Sequence, residues 1–359
     1  MAAADPTSLR VAVTGASGNV GTSLLAALAR EPAVESIVGI CRRLPARRFP
    51  KVEWRAADVA IDDLEPHFRG ADVVVHLAWL IQPGRDKALL HRANVEGSAR
   101  TFRAAAKAGV PALVYASSVG AYSPGPKDRL VDESWPTDGI DSSFYARHKA
   151  EVERLLDSHE REHPGMRVVR LRPGLIFKRE AASGIRRLFA GPLLPGPLLR
   201  PALVPLVPDV PRLRFQAVHS LDVGEAYRLA IVSDDARGAF NVAADPVLDP
   251  PELGRLLGAR PVRLPRRLLR AGAAVTYGMH LQPSEPGWVD MAFAVPLMDS
   301  TRARDELGWS PARTSGDALL ELIEGMREGA GLETPPLEPG GAGPLRVREF
   351  LSGVGSRTG

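Results

Sequence analysis

Short apolar runs rich in β-branched residues alternate with helical patterns along the first half of the chain, and this alternation constrains the fold more than any other feature. The strand-like runs cover residues 9–14, 36–41, 52–55, 71–77, 112–116 and 168–171, and the helical patterns cover 19–30, 86–108 and 144–160. Alternating strands and helices are typical of βαβ units, whose strands are parallel. The runs are almost continuously apolar, as expected when helices cover both faces of a sheet. The sequence therefore predicts an α/β fold built on a Rossmann-type, doubly wound parallel sheet.

The pattern changes beyond Arg172. Residues 191–213 contain seven prolines in a Leu- and Val-rich background, so a regular helix cannot run through them. Residues 238–242 have the pattern of a strand that returns to the sheet. We therefore predict a core of residues 8–178 and 216–245, a smaller and mostly C-terminal region of residues 179–215 and 246–330, and a poorly ordered tail of residues 334–359.

Composition and patterning exclude several kinds of site. The 359 residues include one cysteine, Cys41, which rules out an intramolecular disulfide and a cysteine-rich zinc site. No histidines and carboxylates have metal-ligand spacing, and His219 is expected to cap or pack. The net charge is +4 and only six of the 46 basic residues are lysine, while the arginine clusters lack the interleaved aromatics of a nucleic-acid surface. No apolar run reaches the roughly 20 residues of a membrane-spanning helix, and Met1–Leu9 has no signal-peptide pattern. We expect a cytoplasmic protein with no metal, no nucleic-acid partner and no stable membrane insertion.

Three glycines spaced by three residues follow the first predicted strand. Glycine permits a tight turn and lets backbone N–H groups approach a diphosphate, and the start of the next helix adds partial positive charge. Because this run lies between the first strand and the first helix of an alternating chain, it predicts the diphosphate site of a dinucleotide. The residues predicted to line the site are Gly15, Ser17, Gly18, Asn19, Val20 and Gly21.

The end of the second predicted strand bears on which dinucleotide binds. An acidic residue there binds the ribose 2′-hydroxyl of NAD, whereas arginine accommodates the 2′-phosphate of NADP. Here Arg42 and Arg43 follow Cys41, and no carboxylate is present. We therefore expect a preference for NADP, with NAD as the alternative. Asp58 and Val59, after the third strand, are expected beside the adenine.

Tyr145 and Lys149 lie four residues apart in a predicted helix, so their side chains share a face. The unperturbed pKa of a tyrosine hydroxyl is about 10, and a nearby ammonium lowers it. A tyrosine in that setting exchanges a proton with a substrate hydroxyl or carbonyl near neutral pH. Residues 116–122, which include Ser117 and Ser118, follow the fifth predicted strand at the carboxyl edge where parallel sheets bind ligands.

These motifs and several others, in the same order, resemble the extended short-chain dehydrogenase/reductase family, also called the NAD-dependent epimerase/dehydratase family. The resemblance covers about residues 9–325. The other matching segments are His76-Leu77-Ala78, Asn94-Val95-Glu96-Gly97, Arg172-Pro173-Gly174, Val218 to Val223, Phe240-Asn241-Val242 and Leu307-Gly308-Trp309.

The resemblance implies a role for each matching residue. Ser118, rather than Ser117, hydrogen-bonds the reacting oxygen, and Tyr145 is the acid/base. Lys149 lowers the pKa of Tyr145 and holds the nicotinamide ribose, and Asn94 helps to organise the site. The family pattern also places Leu77, Ala78 and Pro173 along the cofactor, assigns residues 179–215 and 246–330 to substrate binding, and implies a homodimer.

The chain departs from the family pattern after its Arg-Pro segment. Many members continue with Tyr-Gly-Pro, whereas this chain has Phe177-Lys178-Arg179, and the Pro-rich stretch differs from a polar nucleotide-sugar cleft. We therefore favour an NADP-preferring oxidoreductase that acts on a secondary alcohol or ketone, with residues 179–215 as a lid. A nucleotide-sugar epimerase or dehydratase with tightly bound NAD(P) is the alternative. A dinucleotide-sensing binding protein is a third interpretation, which the Tyr–Lys pair disfavours.

Overall fold

The structure, a computed structural model, describes residues 8–81, 85–189, 205–279 and 285–339. The strands are β1 (Leu9–Thr14), β2 (Val34–Cys41), β3 (Val52–Ala56), β4 (Val73–His76), β5 (Ala112–Ala116), β6 (Leu130–Val131), β7 (Arg167–Pro173), β8 (Leu175–Phe177), β9 (Leu206–Asp209), β10 (Ala217–His219), β11 (Gly238–Val242), β12 (Arg260–Arg263) and β13 (Leu297–Met298). The α-helices are α1 (Asn19–Leu28), α2 (Glu65–Phe68), α3 (Lys87–His91), α4 (Gly97–Lys107), α5 (Phe144–Glu162), α6 (Ala182–Phe189), α7 (Ser220–Val232), α8 (Pro250–Leu257), α9 (Arg266–Gly278), α10 (Gly287–Ala294), α11 (Thr301–Leu307) and α12 (Ser315–Glu328).

Seven parallel strands form the central sheet, in the order β11-β7-β5-β4-β1-β2-β3. The chain runs outward from β1 through β2 to β3, and then crosses to the other side of β1 with β4, β5, β7 and β11. The strand order therefore reverses between β1 and β4. Open α/β sheets bind ligands at the carboxyl ends of the strands at such a reversal. The predicted Rossmann-type fold is confirmed.

The residues of β1 show how both faces of this sheet are covered. Val11 and Val13 pack in the layer that contains α1, α7 and α11, whereas Ala12 packs in the layer that contains α4 and α5. The leucines of α1 that share one face in the sequence, Leu24 and Leu28 among them, are fully buried in the first layer. Burying each such leucine contributes about 1.5–3 kcal/mol.

The last third of the chain divides between this core and a second cluster. Ala303, Leu307 and Trp309 belong to the α1–α7 layer, and the Trp309 indole N–H donates to the Asp222 carbonyl at 2.8 Å. A smaller cluster joins β8 and β10 to α6, α8 and α12. Its buried members are Phe177, Ala182, Ala217, Leu248, Ala318 and Leu322. Part of the predicted 246–330 region thus completes the Rossmann core.

The helix predicted over residues 86–108 forms as three consecutive pieces. α3 leads into a single π-helical turn, Arg92–Glu96, which leads into α4. π turns inside α-helices occur frequently at functional sites. The turn contains Asn94, which the resemblance assigned to the site.

Two predicted segments lie partly outside the described residues. Of residues 191–213, the part from 205 onward contains β9, which pairs in parallel with β12, and Val207 and Val210 are buried there. The predicted tail begins at Thr334, but Thr334 and Leu337 are buried. A Leu337 N–H···Thr334 carbonyl bond closes this turn, so the start of the predicted tail packs against the domain.

Within the described ranges, no helix is both long and apolar enough to cross a membrane.

Candidate active site

The glycine-rich turn between β1 and α1 has no room for side chains at two positions. Gly15 has a φ of 72°, and a Cβ added there would lie 2.7 Å from the backbone nitrogen of Ala78. A Cβ added to Gly21 would overlap the carbonyl oxygen of Ala16. Glycine therefore permits both the turn and its close approach to the loop after β4.

The start of α1 suits an anionic group. Gly18 is the residue before the helix, and no side chain caps it. The N–H groups of Asn19, Val20 and Gly21 have no acceptor within the helix, because the first turn of an α-helix leaves its amides unpaired. These amides and the helix dipole favour a diphosphate. The residues present therefore fit the dinucleotide that the sequence predicts.

The end of β2 approaches the same turn. Cys41 is buried and its thiol donates to the Arg43 carbonyl at 3.2 Å. Burial raises the pKa of this thiol, and the nearby Ser17 side chain opposes the shift. Arg42 and Arg43 are exposed, and Arg42 Nη1 lies 3.9 Å from Asp58 Oδ2. The structure thus brings Arg42 and Asp58 together beside the glycine-rich turn.

The other predicted cofactor residues lie at the carboxyl edge of the sheet. Val59 is buried just after β3. Leu77 and Ala78 follow β4 directly, and the Leu77 N–H donates to the Thr14 carbonyl at 3.0 Å. Pro173 ends β7, which is separated from β4 by β5. These residues therefore line one edge, with Pro173 further along it than the rest.

A buried polar chain connects β1 and β4 to the π turn. Thr14 Oγ1 lies 2.7 Å from His76 Nδ1, and His76 Nε2 lies 2.9 Å from Ser98 Oγ. Burial lowers the pKa of His76 to about 3, so its ring is neutral. Asn94 accepts the Leu80 N–H and donates to the Leu80 carbonyl, each at 2.7 Å. The Asn94 side chain thus binds the backbone of the loop that follows β4.

Tyr145 lies on the first turn of α5 and faces Ser118. The Ser118 side chain is near enough to act on the pKa of the Tyr145 hydroxyl, and its Oγ accepts the Gly120 N–H at 3.0 Å. A Cβ on Gly120 would lie 2.9 Å from Tyr145 Cε1, so a glycine there makes room for the ring. Burial raises the pKa of Tyr145, and the Ser118 side chain partly opposes this. The lowered pKa expected from the spacing to Lys149 is wrong for this state, because burial outweighs other influences.

Lys149 lies one helical turn beyond Tyr145. Its Nζ donates to the Ala116 carbonyl at 2.6 Å and lies 3.4 Å from the centroid of the Trp79 ring, but 5.9 Å from that of Tyr145. Burial lowers the pKa of Lys149 strongly, whereas the carbonyl and the indole face favour its cationic form. Trp79 was not assigned from the sequence. Its only signal there is its position directly after His76-Leu77-Ala78.

Aromatic side chains surround the Tyr145 ring. Trp79 meets it edge-on with ring centroids 5.9 Å apart, and Trp288 lies at 5.0 Å in a tilted arrangement. Met291 belongs to the same cluster. The Trp79 indole N–H is buried and has no acceptor among the described residues. The geometry combines a tyrosine hydroxyl, a lysine and apolar walls near the glycine-rich turn.

Comparison with known families agrees with this geometry. Residues 11–190, half of the chain, match the model of the NAD dependent epimerase/dehydratase family. The chain belongs to this family. The resemblance inferred from the motifs is confirmed, and with it the assignment to a family of NAD(P)-dependent enzymes of the extended short-chain dehydrogenase type.

Individual members of the family are distant from this chain. An uncharacterized protein of Mycobacterium tuberculosis is 29% identical over 326 residues, which are 90% of this chain and 31% of that protein. The chain thus spans less than a third of that relative. A 4-hydroxy-2-methyl-3-oxo-4-farnesyl-3,4-dihydroquinoline-1-oxide ketoreductase of Stigmatella aurantiaca is 32% identical over 187 residues, 50% of this chain and 54% of the relative. The solved UDP-glucose 4-epimerase of Thermus thermophilus, in complex with NAD, superposes with a TM-score of 0.65 at 21% identity and covers 89% of this chain and 99% of its own.

A buried ion-pair network explains why the two adjacent serines of the family motif differ. Glu153 forms two bonds with Arg172, at 2.9 and 3.0 Å, and one with Arg170 at 3.0 Å. Ser117 Oγ donates to Glu153 Oε1 at 2.5 Å. The Ser117 hydroxyl is therefore bound within this ion-pair network, whereas Ser118 faces Tyr145. This agrees with the choice of Ser118 from the family pattern.

A polar cavity of about 300 Å³ lies elsewhere on α5. It is lined by His91, Asp138, Asp141, Arg147, His148, Glu151 and Arg154. These α5 residues occupy a different face of the helix from Tyr145 and Lys149, so the cavity is separate from the family's site. His148 accordingly lies off the proposed catalytic face, and His219 caps α7 by accepting the Leu221 N–H at 3.1 Å, as expected.

Proposed function

We propose that this protein is an NADP-preferring oxidoreductase that interconverts a ketone and a secondary alcohol through Ser118, Tyr145 and Lys149. The observation that carries the proposal is the placement of Ser118 and Tyr145 around Gly120, whose N–H donates to Ser118 Oγ at 3.0 Å and whose Cα leaves no room for a side chain beside the Tyr145 ring. Family membership supplies the general chemistry, since a bound nicotinamide provides or accepts a hydride.

In the direction of reduction, Tyr145 donates the proton. Burial raises the pKa of Tyr145, so the hydroxyl is protonated at neutral pH, which is the form a proton donor needs. As the carbonyl carbon gains a hydride, the carbonyl oxygen takes the Tyr145 proton and becomes a hydroxyl. Ser118 hydrogen-bonds that oxygen and orients it. The Lys149 ammonium stabilises the resulting tyrosinate, which then regains a proton from solvent.

The surroundings of Tyr145 favour an apolar, ring-bearing substrate. Trp79 and Trp288 present ring surfaces beside the tyrosine, and Met291 adds a polarizable thioether. Flat apolar walls bind rings by area burial and stacking. The Trp79 N–H provides one hydrogen-bond donor. The ketoreductase of Stigmatella aurantiaca, whose name specifies a quinoline oxide, supports the same substrate class.

The preference for NADP rests on Arg42. Its guanidinium is exposed next to the glycine-rich turn, and its only described carboxylate neighbour is Asp58 at 3.9 Å. This separation is longer than a direct charged hydrogen bond, so Arg42 retains donors for a 2′-phosphate. Asp58 would lie beside the adenine.

A nucleotide-sugar epimerase or dehydratase is the second candidate. The same serine, tyrosine and lysine would serve it, and the Thermus thermophilus epimerase of similar fold carries NAD. In that case the hydride is returned to the substrate and the dinucleotide stays bound.

One pair of measurements separates these candidates. The purified full chain is denatured and the released dinucleotide is measured, and NADPH absorbance is then followed with a panel of cyclic aromatic ketones. Stoichiometric consumption of NADPH supports the reductase. Stoichiometric co-purified NAD without net consumption, together with turnover of a nucleotide sugar, would contradict it and support the epimerase or dehydratase.

A further inference from the structure

Lys178 lies where the chain departs from the family pattern, directly after β8. The side chain is buried, with 4% of the residue exposed. Its Nζ donates to the Asn19 carbonyl at 2.8 Å, to Thr22 Oγ1 at 2.7 Å and to Ser23 Oγ at 3.2 Å. All three acceptors are neutral and belong to the first turns of α1. A buried ammonium without a contacting carboxylate is costly, which calls for a reason.

The Asn19 carbonyl receives several other donors. Thr22 Oγ1, Ser23 Oγ and Ser220 Oγ lie 3.1, 3.4 and 3.2 Å from it. The same peptide unit carries the Val20 N–H, one of the unpaired amides at the start of α1. Donation to a carbonyl polarises its peptide and makes the N–H on the other side a stronger donor. Lys178 therefore acts on an amide that faces the diphosphate cradle.

The charges around Lys178 leave its ammonium largely uncompensated. α1 and the glycine-rich turn carry no ionisable side chain of their own, and the buried thiol of Cys41 lies at the end of β2, near Ser17. Glu180 lies two residues further along its own segment, Glu321 approaches from α12, and His219 and Asp222 lie at the start of α7. Burial lowers the pKa of Lys178 to about 8, and Glu180 and Glu321 oppose this only in part.

We propose that Lys178 is a positioning residue for the dinucleotide, which polarises the Asn19–Val20 peptide and adds positive potential behind the amides that receive the diphosphate. The proposal rests on the dinucleotide site described above. Lys178 lies in the segment that leads into α6. Its buried charge therefore connects the second region of the chain to the cofactor cradle.

The proposal has a pH signature of definite sign. Lys178 is cationic below its pKa of about 8, and a bound diphosphate stabilises the cation, which raises that pKa in the complex. The contribution of Lys178 to dinucleotide affinity is therefore constant below about pH 8 and falls as the pH rises above it. The α1 dipole and the backbone amides do not titrate and leave no such slope.

Two substitutions at this position test the proposal on the full chain. Lys178→Met keeps the length and removes the charge, and we expect its affinity for NADPH to fall on the order of tenfold at neutral pH, a common size for coupling between neighbouring sites. Its remaining affinity should not change from about pH 7.5 to about 9.5, a range above the second pKa of the 2′-phosphate, which is about 6. Lys178→Arg stays charged across that range, so it should restore the affinity and remove the pH slope. Cys41 is present in every variant, so any contribution of its thiol is common to all.

Lys127 provides a matched control. It is also a buried lysine, with 3% of the residue exposed, and it donates to the carbonyls of Arg214 and Ala292 at 2.7 and 2.9 Å. We expect both Lys127→Met and Lys178→Met to lower the melting temperature. Lys127→Met should leave the affinity for NADPH unchanged.

Different experimental results would contradict the role of Lys178 and the proposed function. Equal affinity and equal pH slope in Lys178→Met and the unaltered chain would overturn the role of Lys178 alone. If Lys178→Met does not fold, the unaltered chain still decides, because a pH-independent affinity up to about 9.5 would overturn that role too. Failure of the unaltered chain to bind either dinucleotide would overturn the proposed function, and the inference with it.

Discussion

Replacing the Tyr145 hydroxyl by hydrogen removes the group that we propose exchanges the proton, while the ring that packs against Gly120 and Trp288 stays. Tyr145→Phe should lower kcat for ketone reduction by about 10²–10⁴-fold, the usual contribution of a general acid. The Kd for NADPH should change little. Steady-state rates and calorimetric titration measure the two effects. Tyr122→Phe is the control, because it removes a buried hydroxyl that bonds Asn241 and Arg172; it should cost stability and leave turnover intact. Near-normal turnover by Tyr145→Phe would assign the proton to another group.

The proposed preference for NADP also depends on one side chain, Arg42. Arg42→Ala should weaken NADPH binding by about tenfold or more, since hydrogen bonds to charged groups are worth about 1.5–3 kcal/mol. NADH binding should be almost unchanged. Calorimetry with both dinucleotides measures the ratio, and the equally exposed Arg48→Ala is the control. Tighter binding of NADH than of NADPH by the unaltered chain would refute the preference.

At the scale of elements, the π turn between α3 and α4 connects the helix layer to the loop after β4. Asn94 clamps the backbone of Leu80 with both polar atoms of its amide. Asn94→Ala leaves two backbone groups unsatisfied, which should lower the free energy of unfolding by about 1–3 kcal/mol. Hydrogen exchange of residues 77–81 should become faster than in the unaltered chain, whereas that of β5 should not change. Glu96→Gln, an exposed change on the same turn, should alter neither quantity, and an unchanged exchange rate in Asn94→Ala would show that the loop does not depend on this amide.

At the scale of the whole molecule, Glu153 joins α5, β7 and the segment after β5. Burial alone would raise its pKa, but the hydrogen bonds and charges of Arg172, the charge of Arg170 and the Ser117 hydroxyl lower it to about 2. A carboxylate with a lowered pKa contributes stability above its unfolded value, and that contribution is lost as the pH falls. For Glu153 the window lies between its ordinary pKa of 4.5 and about 2.

Glu153→Gln tests this network. The substitution leaves buried Arg172 without its carboxylate, whereas Arg170 keeps Asp157 and Glu160, so the free energy of unfolding should fall by about 3–5 kcal/mol near neutral pH. The loss of stability between about pH 4.5 and 2 should become smaller than in the unaltered chain. Urea unfolding at a series of pH values measures both. An equally steep acid dependence in Glu153→Gln would assign the acid sensitivity to other carboxylates.

Elements whose physics is local could be predicted from the amino-acid sequence. Strands such as Val11–Val13 are apolar on both faces, and Gly15 and Gly21 lie where any Cβ would meet backbone. Both features are visible from residue type and spacing, so the parallel sheet and the tight turn between β1 and α1 could be predicted. The four-residue spacing of Tyr145 and Lys149 likewise placed them on one helical face.

The pKa values and contacts of the site residues depend on the folded arrangement and could not be predicted in the same way. Spacing predicted that Lys149 lowers the pKa of Tyr145, but burial raises it, and burial depends on Trp79 and Trp288, which come from distant parts of the chain. The contacts of Lys178 with α1 join residues more than 150 positions apart in the sequence. Local patterns carry no information about such contacts, because desolvation and charge depend on which surfaces the folded chain brings together.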